Sequence, residues 1–264
     1  MSFEDIKTEI AGAIARIVID RGDGRNALRP QTLREISTAM DELSTDTAVR
    51  AIVLTAAGKH FSAGADFSFL RQLTTMTALE IRDQIYTAFQ GAVRRIYHCP
   101  KPTLAAIDGM AITVGCELAL ACDFRLVTAA AQFQESWIKL GLMPPLGGLF
   151  LLPRLVGLGK ASEIALTGRA IGAEESLRIG LAGEMADNAA HLAERSAELA
   201  TQLASLPPLA YRSVKEGLHR GLESNMEQEW TTNVMAQTLL LGTADFREGL
   251  AAVMERRPAQ FNGT

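Results

Sequence analysis

Apolar residues recur along the chain at two spacings, and the spacing changes at glycine and proline positions. Alternation over residues 13–20, preceded by a similar segment at 7–10, predicts two strands joined by a turn. Apolar residues at helical spacing after Pro30 predict a helix. Residues 77–98 predict a second, longer helix that ends before Pro100. The chain therefore begins with strands and then alternates between strands and helices.

Two segments share one plan: an apolar strand, a loop of small residues and the start of a helix. The strands are predicted at 50–56 and 103–108. Such a weak repeat is typical of ββα units that stack into a spiral or of a doubly wound sheet, so we predict an α/β fold. The pattern becomes mostly helical after residue 149, and we predict a core at 1–204 and a C-terminal helical region at 205–264.

Composition narrows the functional classes. The 264 residues are 48% hydrophobic and 21% charged, which is typical of a globular protein and excludes a disordered chain. The net charge of −4 argues against nucleic-acid binding, which needs clustered basic residues. Three cysteines without a CxxC motif and four histidines without an HExxH motif argue against disulfides and against a metal site.

The chain shows no sign of export or membrane insertion. Its first ten residues carry acids and lack the apolar stretch of a signal peptide. The most apolar window, 109–122, is too short to span a bilayer and contains Glu117. We therefore expect a cytoplasmic protein that does not associate with a membrane.

Three short motifs resemble well-known sites but do not fit them. The glycines at 22 and 24 are followed by a delayed helix, so a plain turn is favoured over a dinucleotide site. Gly159-Lys160 lacks the upstream glycine of a P-loop. The segment 60–64 begins with histidine where a serine-hydrolase nucleophile elbow needs glycine.

The loops at 61–66 and 112–117 are more informative. Gly64 permits a positive φ, and the backbone N–H of Ala65 precedes a helix and is free to donate. Val114 begins a helix whose first N–H groups are unpaired and lie at the positive end of the dipole. Two such N–H groups that converge would form an oxyanion hole for a thioester enolate. The alternative is that small residues serve packing alone.

Together these loops and their flanking segments resemble the enoyl-CoA hydratase/isomerase (crotonase) superfamily. The resemblance covers nearly the whole chain and depends on the order and spacing of many segments. They are RNAL (25–28), FSAGADF (61–67), KPTLAAIDGMAITVGCELALACDFRLV (101–127), AQF (131–133), LGLMPPLGG (140–148), LTGRAIGAEESLRIGLAGEM (166–185) and DFREGLAAVMERRPAQFNG (245–263).

The resemblance implies a spiral of ββα units followed by a helical region that forms a homotrimer or a dimer of trimers. It implies an acyl-CoA substrate, so coenzyme A enters with the substrate and no separate cofactor or metal is expected. The oxyanion donors would be the N–H groups of Ala65 and Val114. The second donor is usually a glycine, so the valine is expected to narrow the acyl tunnel.

The resemblance also places the coenzyme A contacts. A basic residue that is common in the family at the position of Ser68 is absent here. The residues expected on the coenzyme A side are Arg25, Ala27, Ala63, Asp66, Phe67, Ser68 and Phe261.

Family hydratases use two glutamates 20 positions apart. The first falls on Glu117 and the second on Trp137. Glu117 is expected to transfer the proton, and capping of its helix is the alternative. Trp137 either fills the core or lines the acyl pocket and bars water. Glu135 is a candidate substitute, which would share a face with position 137 on a strand but not on a helix.

A single carboxyl limits the chemistry. Adding water to a conjugated thioester requires the water to be held and deprotonated and the α-carbon to be protonated. We therefore expect weak hydratase activity on straight-chain enoyl-CoA. An isomerase, a decarboxylase of a malonyl-type CoA and a non-catalytic acyl-CoA-binding protein are the alternatives.

Overall fold

The computed structural model describes residues 3–264, so the first two residues of the segment judged not to be a signal peptide lie outside it. The strands are β1 (Ile6–Ala11), β2 (Ile14–Ile19), β3 (Ala51–Ala56), β4 (Thr103–Ile107), β5 (Met110–Ile112), β6 (Phe124–Thr128), β7 (Gln132–Gln134), β8 (Ala170–Gly172) and β9 (Glu184–Ala186).

The helices follow the strands and dominate the second half of the chain. They are α1 (Pro30–Thr45), α2 (Phe67–Leu73), α3 (Ala78–Glu80), α4 (Thr87–Tyr97), α5 (Val114–Ala121), α6 (Gly148–Val156), α7 (Leu158–Thr167), α8 (Ala173–Arg178), α9 (Ala189–Ala204), α10 (Pro208–Gly221), α11 (Met226–Leu241) and α12 (Ala244–Glu255). A π-helical turn (Ile81–Tyr86) and a 3₁₀ helix (Ser136–Leu140) complete them.

The strands form two sheets. The larger has the order β1-β2-β3-β4-β6-β9, in which β1 pairs with β2 in antiparallel fashion and all other pairs are parallel. The smaller has the order β5-β7-β8. Because β4 leads directly to β5 and β6 leads to β7, successive units contribute one strand to each sheet, as a spiral of ββα units requires. The predicted α/β class is confirmed.

Both faces of the larger sheet are buried, which explains why its central strands are apolar throughout. Along β3, Ile52 and Leu54 belong to the core beneath α1 and α4, whereas Val53 faces a second core formed with α9. The same alternation along β4 places Ile107 in the first core and Leu104 in the second. The sheet thereby holds the loops at the carboxyl ends of β3 and β4 in fixed positions.

The predicted helix at 77–98 is not a single α-helix. It consists of α3, the π-helical turn and α4. The helix expected after Ala65 is α2, but the short strands β5, β7, β8 and β9 were not predicted, since three-residue strands contain too few positions to show a period. None of the helices described over 3–264 combines the length and the apolar character needed to cross a membrane.

The three C-terminal helices expose many large apolar side chains. Val214, Leu218, Trp230 and Leu239 are examples, each more than half exposed. Helix α10 is joined to the core by Lys215, whose Nζ lies 2.8 Å from Oδ2 of Asp123. Helix α9, which packs on the sheet, ends at Ala204. The division into 1–204 and 205–264 stays a prediction.

Candidate active site

The two loops singled out in the sequence lie side by side. Ser62 N–H donates to Met110 O at 2.7 Å, and Ile112 N–H donates to Ser62 O at 3.0 Å. The approach is closest at two glycines: a Cβ on Gly64 would collide with Thr113 Oγ1, and a Cβ on Gly115 would lie 2.6 Å from Ser62 Cβ. Glycine is therefore required at both positions for the loops to meet.

The structure brings the two predicted oxyanion donors into these touching loops. Among the described residues, no acceptor receives a hydrogen bond from the N–H of Ala65 or of Val114. The N–H groups of their neighbours Gly64, Asp66 and Thr113 all have acceptors within the protein. Two unused backbone donors thus remain where the loops make contact, and one of them is the first N–H of α5.

Thr113 shapes the turn that presents the second donor. Its φ of 46° is unusual for a residue with a β-branched side chain and costs about 1–3 kcal/mol. The turn is held on both sides: Thr113 N–H donates to Gln134 O at 2.8 Å, and Thr113 O accepts from Glu117 N–H at 2.9 Å. The strain therefore lies at the residue that orients the Val114 N–H.

Glu117 lies one turn into α5 and is 1% exposed. Its Oε2 accepts from Leu146 N–H at 2.9 Å and from Gly148 N–H at 2.7 Å, whereas Oε1 has no partner in the described chain. Burial raises the pKa of Glu117 to about 7 against the opposing effect of these two amides. A carboxyl with this pKa is suited to take and return a proton at neutral pH.

Trp137 occupies the position of the second family acid and is buried. Glu135 precedes the 3₁₀ helix that contains Trp137, is 1% exposed, and has no hydrogen-bond partner in the described chain on either carboxyl oxygen. Burial, followed by the charge of Glu117, raises the pKa of Glu135 well above its usual range. The structure therefore brings Glu117, Glu135 and Trp137 together.

The sequence analysis considered only a strand or a helix for the segment that contains Glu135 and Trp137, and the structure has neither at Glu135. Glu135 lies in the connection between β7 and the 3₁₀ helix, with φ −99° and ψ 69°, so neither periodicity applies. The indole N–H of Trp137 is near enough to both carboxyls to lower their pKa values, although it makes no hydrogen bond of normal geometry with either.

Most of the residues predicted on the coenzyme A side lie in two paired segments. Arg25 O accepts from Ala63 N–H at 2.9 Å, and Ala27 lies between Arg25 and the next paired residue, Leu28. Phe67 and Ser68 are exposed at the start of α2.

Asp66 has a structural role that the sequence analysis missed. It caps α2 by accepting from Ser68 N–H at 2.8 Å and Phe69 N–H at 3.1 Å, and Arg21 lies 3.3 Å from its carboxyl. The available signal is an aspartate that ends a loop of small residues, Ser-Ala-Gly-Ala-Asp (62–66), before an apolar residue, since aspartate is a preferred N-cap. Binding of coenzyme A by Asp66 stays a prediction.

Phe261 is not among these loops in the single chain. Its ring lies beside Gly249 of α12, and it lines an apolar cavity of about 410 Å³ between α10, α11 and α12. Its carbonyl oxygen accepts from Arg50. Its predicted contact with the nucleotide stays a prediction.

A groove that the sequence analysis missed lies near Glu117, which accepts from Leu146 N–H directly after the groove residue Pro145. It has a volume of about 790 Å³ and is lined by the π-helical turn, α4 and the segment at 143–145. Tyr86 lines it, and burial together with the charge of Glu117 raises the pKa of that phenol. Gln90 joins the two walls by donating to Pro145 O at 3.0 Å. Tyr86 is the last residue of the π-helical turn, which the periodicity did not predict.

The other reactive side chains are in different surroundings. Cys116 is buried, and burial raises the pKa of its thiol, so it is a core residue and a poor nucleophile. Within residues 3–264, no group of three or more histidine, cysteine or acidic side chains is arranged to hold a metal ion.

Comparisons with known proteins agree with this geometry. The sequence profile described as "Enoyl-CoA hydratase/isomerase" matches residues 9–264. The chain is 35% identical over 262 residues to a crotonyl-CoA hydratase of Syntrophomonas wolfei, covering 99% of each chain. It is 32% identical to a short-chain-enoyl-CoA hydratase of Clostridium acetobutylicum, covering 97% of each.

The solved structures give the same result. The crystal structure of an enoyl-CoA hydratase from Bacillus anthracis superposes with a TM-score of 0.91 at 30% identity, covering 98% of this chain and 100% of the other. The crotonase-type α/β fold expected from the sequence is thereby confirmed. The chain belongs to the enoyl-CoA hydratase/isomerase family.

Proposed function

We propose that the protein binds an acyl-CoA thioester and stabilises its enolate between the N–H groups of Ala65 and Val114, while Glu117 transfers the proton. The single observation that carries this proposal is the pair of unused backbone donors in two touching loops, beside a buried carboxyl on the same helix as one of them.

The physical basis is the charge that develops on the thioester oxygen. Two fixed N–H donors in a water-poor site stabilise that charge without reorganising, and the N-terminus of α5 adds its positive dipole end. Glu117 sits one turn further along α5, so its carboxyl and the Val114 donor are fixed relative to each other. A base whose pKa is about 7 is half ionised at neutral pH and can both accept and donate.

Hydration of a 2-enoyl-CoA is the leading reaction, since the relatives from S. wolfei and C. acetobutylicum are named as hydratases of such substrates. Isomerisation of a 3-enoyl-CoA is the second candidate, because Trp137 occupies the place of the second acid. In an isomerase, one carboxyl removes a proton from the α-carbon and returns it to the γ-carbon.

Substrate binding follows from the surfaces around the site. We assign coenzyme A to the surface formed by 25–28 and 63–68, and the acyl group to the side of Val114, Trp137 and the groove at Tyr86. Val114 is fully buried, so its side chain narrows the space beside the oxyanion donors.

The exposed apolar faces of α10, α11 and α12 support assembly into a homotrimer or a dimer of trimers. Faces of this extent are unusual on a monomer and are typical of subunit contacts. Light scattering that gives the mass of a single chain at micromolar concentration would contradict this assignment.

The test is turnover of a small panel of acyl-CoA esters with product analysis. The panel contains a short 2-enoyl-CoA, a 3-enoyl-CoA and a malonyl-type CoA. A 3-hydroxyacyl-CoA product identifies a hydratase and a shifted double bond identifies an isomerase. Binding of every ester without turnover would contradict the catalytic proposal and favour a binding protein.

A further inference from the structure

The buried polar atoms without a partner are concentrated at one place. In the described chain, five buried side-chain nitrogen or oxygen atoms lack a hydrogen bond within the protein, and four of them belong to Glu117, Glu135 and Trp137. These four are Oε1 of Glu117, both carboxyl oxygens of Glu135 and Nε1 of Trp137. Leaving such groups unsatisfied costs about 1–3 kcal/mol each, so this concentration requires an explanation.

The backbone explains how the three side chains meet. Gln134 ends β7, and its carbonyl accepts from Thr113 N–H at 2.8 Å at the root of α5. Glu135 is the next residue, so its side chain enters beneath the first turn of α5, where Cys116 lies near its carboxyl. Glu117 approaches from the helix itself, and the indole N–H of Trp137 lies near both carboxyls.

The chemistry of this group is complementary to water. An ionised Glu117 accepts only, the indole N–H donates only, and a protonated Glu135 does both. A small molecule with two donors and two acceptors would satisfy these atoms, and buried water typically makes about three hydrogen bonds in such places. A thioester substrate supplies an acceptor oxygen but no donor for the Glu117 carboxylate.

We propose that Glu135 and Trp137 hold the water molecule that adds to the β-carbon of an enoyl-CoA, with Glu117 as the base that takes its proton. The inference rests on the proposed function and deepens it by selecting hydration over isomerisation. Glu135 then supplies, from two residues earlier, the water contact that is lost where Trp137 replaces an acid.

The step balances without a co-reactant. Glu117 takes a proton from the held water as the water oxygen bonds to the β-carbon. The π electrons of the carbon–carbon double bond move into the thioester, whose oxygen becomes the enolate held by Ala65 and Val114. Glu117 then delivers its proton to the α-carbon and the thioester carbonyl re-forms, so the net change is the addition of water.

The electrostatics agree with these roles. Burial and the charge of Glu117 both favour the neutral form of Glu135, so ionisation of Glu117 through about pH 7 gives the pair a single negative charge. The neutral carboxyl can then donate to water while Glu117 stays ionised. On this basis we expect efficient hydration, in contrast to the weak activity that Trp137 alone predicts.

The experiment compares Glu135→Gln with Glu135→Leu, which are similar in size. Glutamine keeps a donor and an acceptor as a neutral carboxyl does, and leucine has neither. Two rates are measured: hydration of crotonyl-CoA, and deuterium exchange at the α-carbon of butyryl-CoA in D₂O, which needs the enolate but no added water. We expect Glu135→Leu to lower hydration about 10²-fold and Glu135→Gln to lower it less than about 10-fold.

The controls separate this inference from the proposed function. Trp137→Phe removes the indole N–H and keeps an aromatic ring, although a smaller one, and it should lower hydration about 10-fold. This second variant keeps the test valid if Glu135→Leu does not fold. Lys139→Ala, on the exposed side of the same 3₁₀ helix, should hydrate as the parent does. In Glu135→Leu and in Trp137→Phe, the rate of hydration should fall at least 10-fold more than the rate of α-proton exchange.

Two outcomes would contradict the water site, and a third would contradict the proposed function. Hydration by Glu135→Leu and Trp137→Phe at the parent rate, or an equal fall of hydration and exchange, would overturn the water site while leaving the enolate proposal intact. If the parent itself exchanges no α-proton, the proposed function fails instead.

Discussion

Two buried pairs of carboxyls in this molecule are held in opposite ways. Asp5 and Glu35, at the start of the chain and on α1, are nearly inaccessible and fully partnered. Asp5 lies 2.7 Å from Arg29, and Glu35 accepts from two backbone N–H groups. Glu117 and Glu135 are equally buried, but within residues 3–264 no cation contributes to the pKa of either, and three of their four oxygens have no hydrogen-bond partner there.

At Asp5, the hydrogen-bond partners and neighbouring cations outweigh the effect of burial on the pKa. Burial alone would raise the pKa of Asp5, but hydrogen bonds from Arg29 and Thr32 and the charge of Arg21 lower it below its usual value. Burial raises the pKa of Glu117 to about 7 because two amides compensate only part of it. The comparison indicates that the partnered acids stabilise the fold and the unpartnered ones cost stability, and the unpartnered ones are those to which we assign the chemistry.

The largest effect is expected from Glu117→Gln. The amide cannot accept the proton, so hydration of a short 2-enoyl-CoA should fall about 10³-fold in kcat, since general acid–base groups contribute 10²–10⁴-fold. Binding of the coenzyme A ester, measured by calorimetry, should change little because the proposed role of Glu117 is at the acyl carbons and not at the coenzyme A. A variant that turns over as fast as the parent would remove Glu117 from the mechanism.

Asp5→Asn alters the pair formed by Asp5 and Glu35, and it should lower stability and leave turnover unchanged. It leaves Arg29 and Arg21 beside a neutral side chain, so we expect a loss of about 3–5 kcal/mol in the free energy of unfolding, measured with denaturant. The kcat of the folded fraction should match that of the parent. A fall in kcat without a loss of stability would show that the contrast between the pairs does not hold.

The two pairs should also differ in how activity and the free energy of unfolding depend on pH. Ionised Glu117 is the base, so kcat/KM should rise with pH through about 7. Because its folded-state pKa is raised from 4.5, its contribution to stability is full below pH 4.5. That contribution is lost as the pH rises through about 7, by roughly 3 kcal/mol. Unfolding measured at several pH values should show a larger loss in the parent than in Glu117→Gln, in which burial still raises the pKa of Glu135 alone.

For Asp5, the contribution to stability changes with pH in the opposite direction. Its pKa is lowered on folding, so its contribution is present above its ordinary value of 3.8 and is lost as the pH falls through the folded value. Asp5→Asn should therefore remove stability at neutral pH and little below the folded pKa. If the free energy of unfolding depended on pH in the same way in Asp5→Asn and in Glu117→Gln, the contrast between the two pairs would be contradicted.

The smallest effect is expected from Glu135→Leu on stability. Removing two unpartnered oxygens from the core should raise the free energy of unfolding by about 1 kcal/mol, while hydration falls. Thermal unfolding of parent and variant gives the sign. A destabilised variant would indicate that Glu135 is a structural residue like Asp5.

The sequence was sufficient for the framework and for most of the site. Apolar runs at 50–56 and 103–108 predicted the central strands because both sheet faces are buried. Small residues around Gly64 and Gly115 marked the two loops, and the family resemblance implied that they converge, as they do. Glu117 was identified through the family resemblance. Its burial and its amide partners at 146 and 148 depend on contacts 29 and 31 residues away, which periodicity does not report.

The remaining features required coordinates for specific reasons. Glu135 lies between a strand and a 3₁₀ helix, so a choice of period could not place its side chain. Tyr86, whose pKa is raised by the charge of Glu117 as well as by burial, ends a π-helical turn within a segment that has an ordinary helical pattern. Asp66 was interpreted only as a ligand contact because its capping role was not considered.

The most direct test is a ¹³C NMR titration of the glutamate carboxyls in the parent, Glu117→Gln and Glu135→Gln. The account predicts one glutamate that titrates near pH 7 and is absent from Glu117→Gln, and one that stays protonated at neutral pH and is absent from Glu135→Gln. If every glutamate in the parent is ionised by pH 5, the unpartnered pair does not share a proton and the central claim is contradicted.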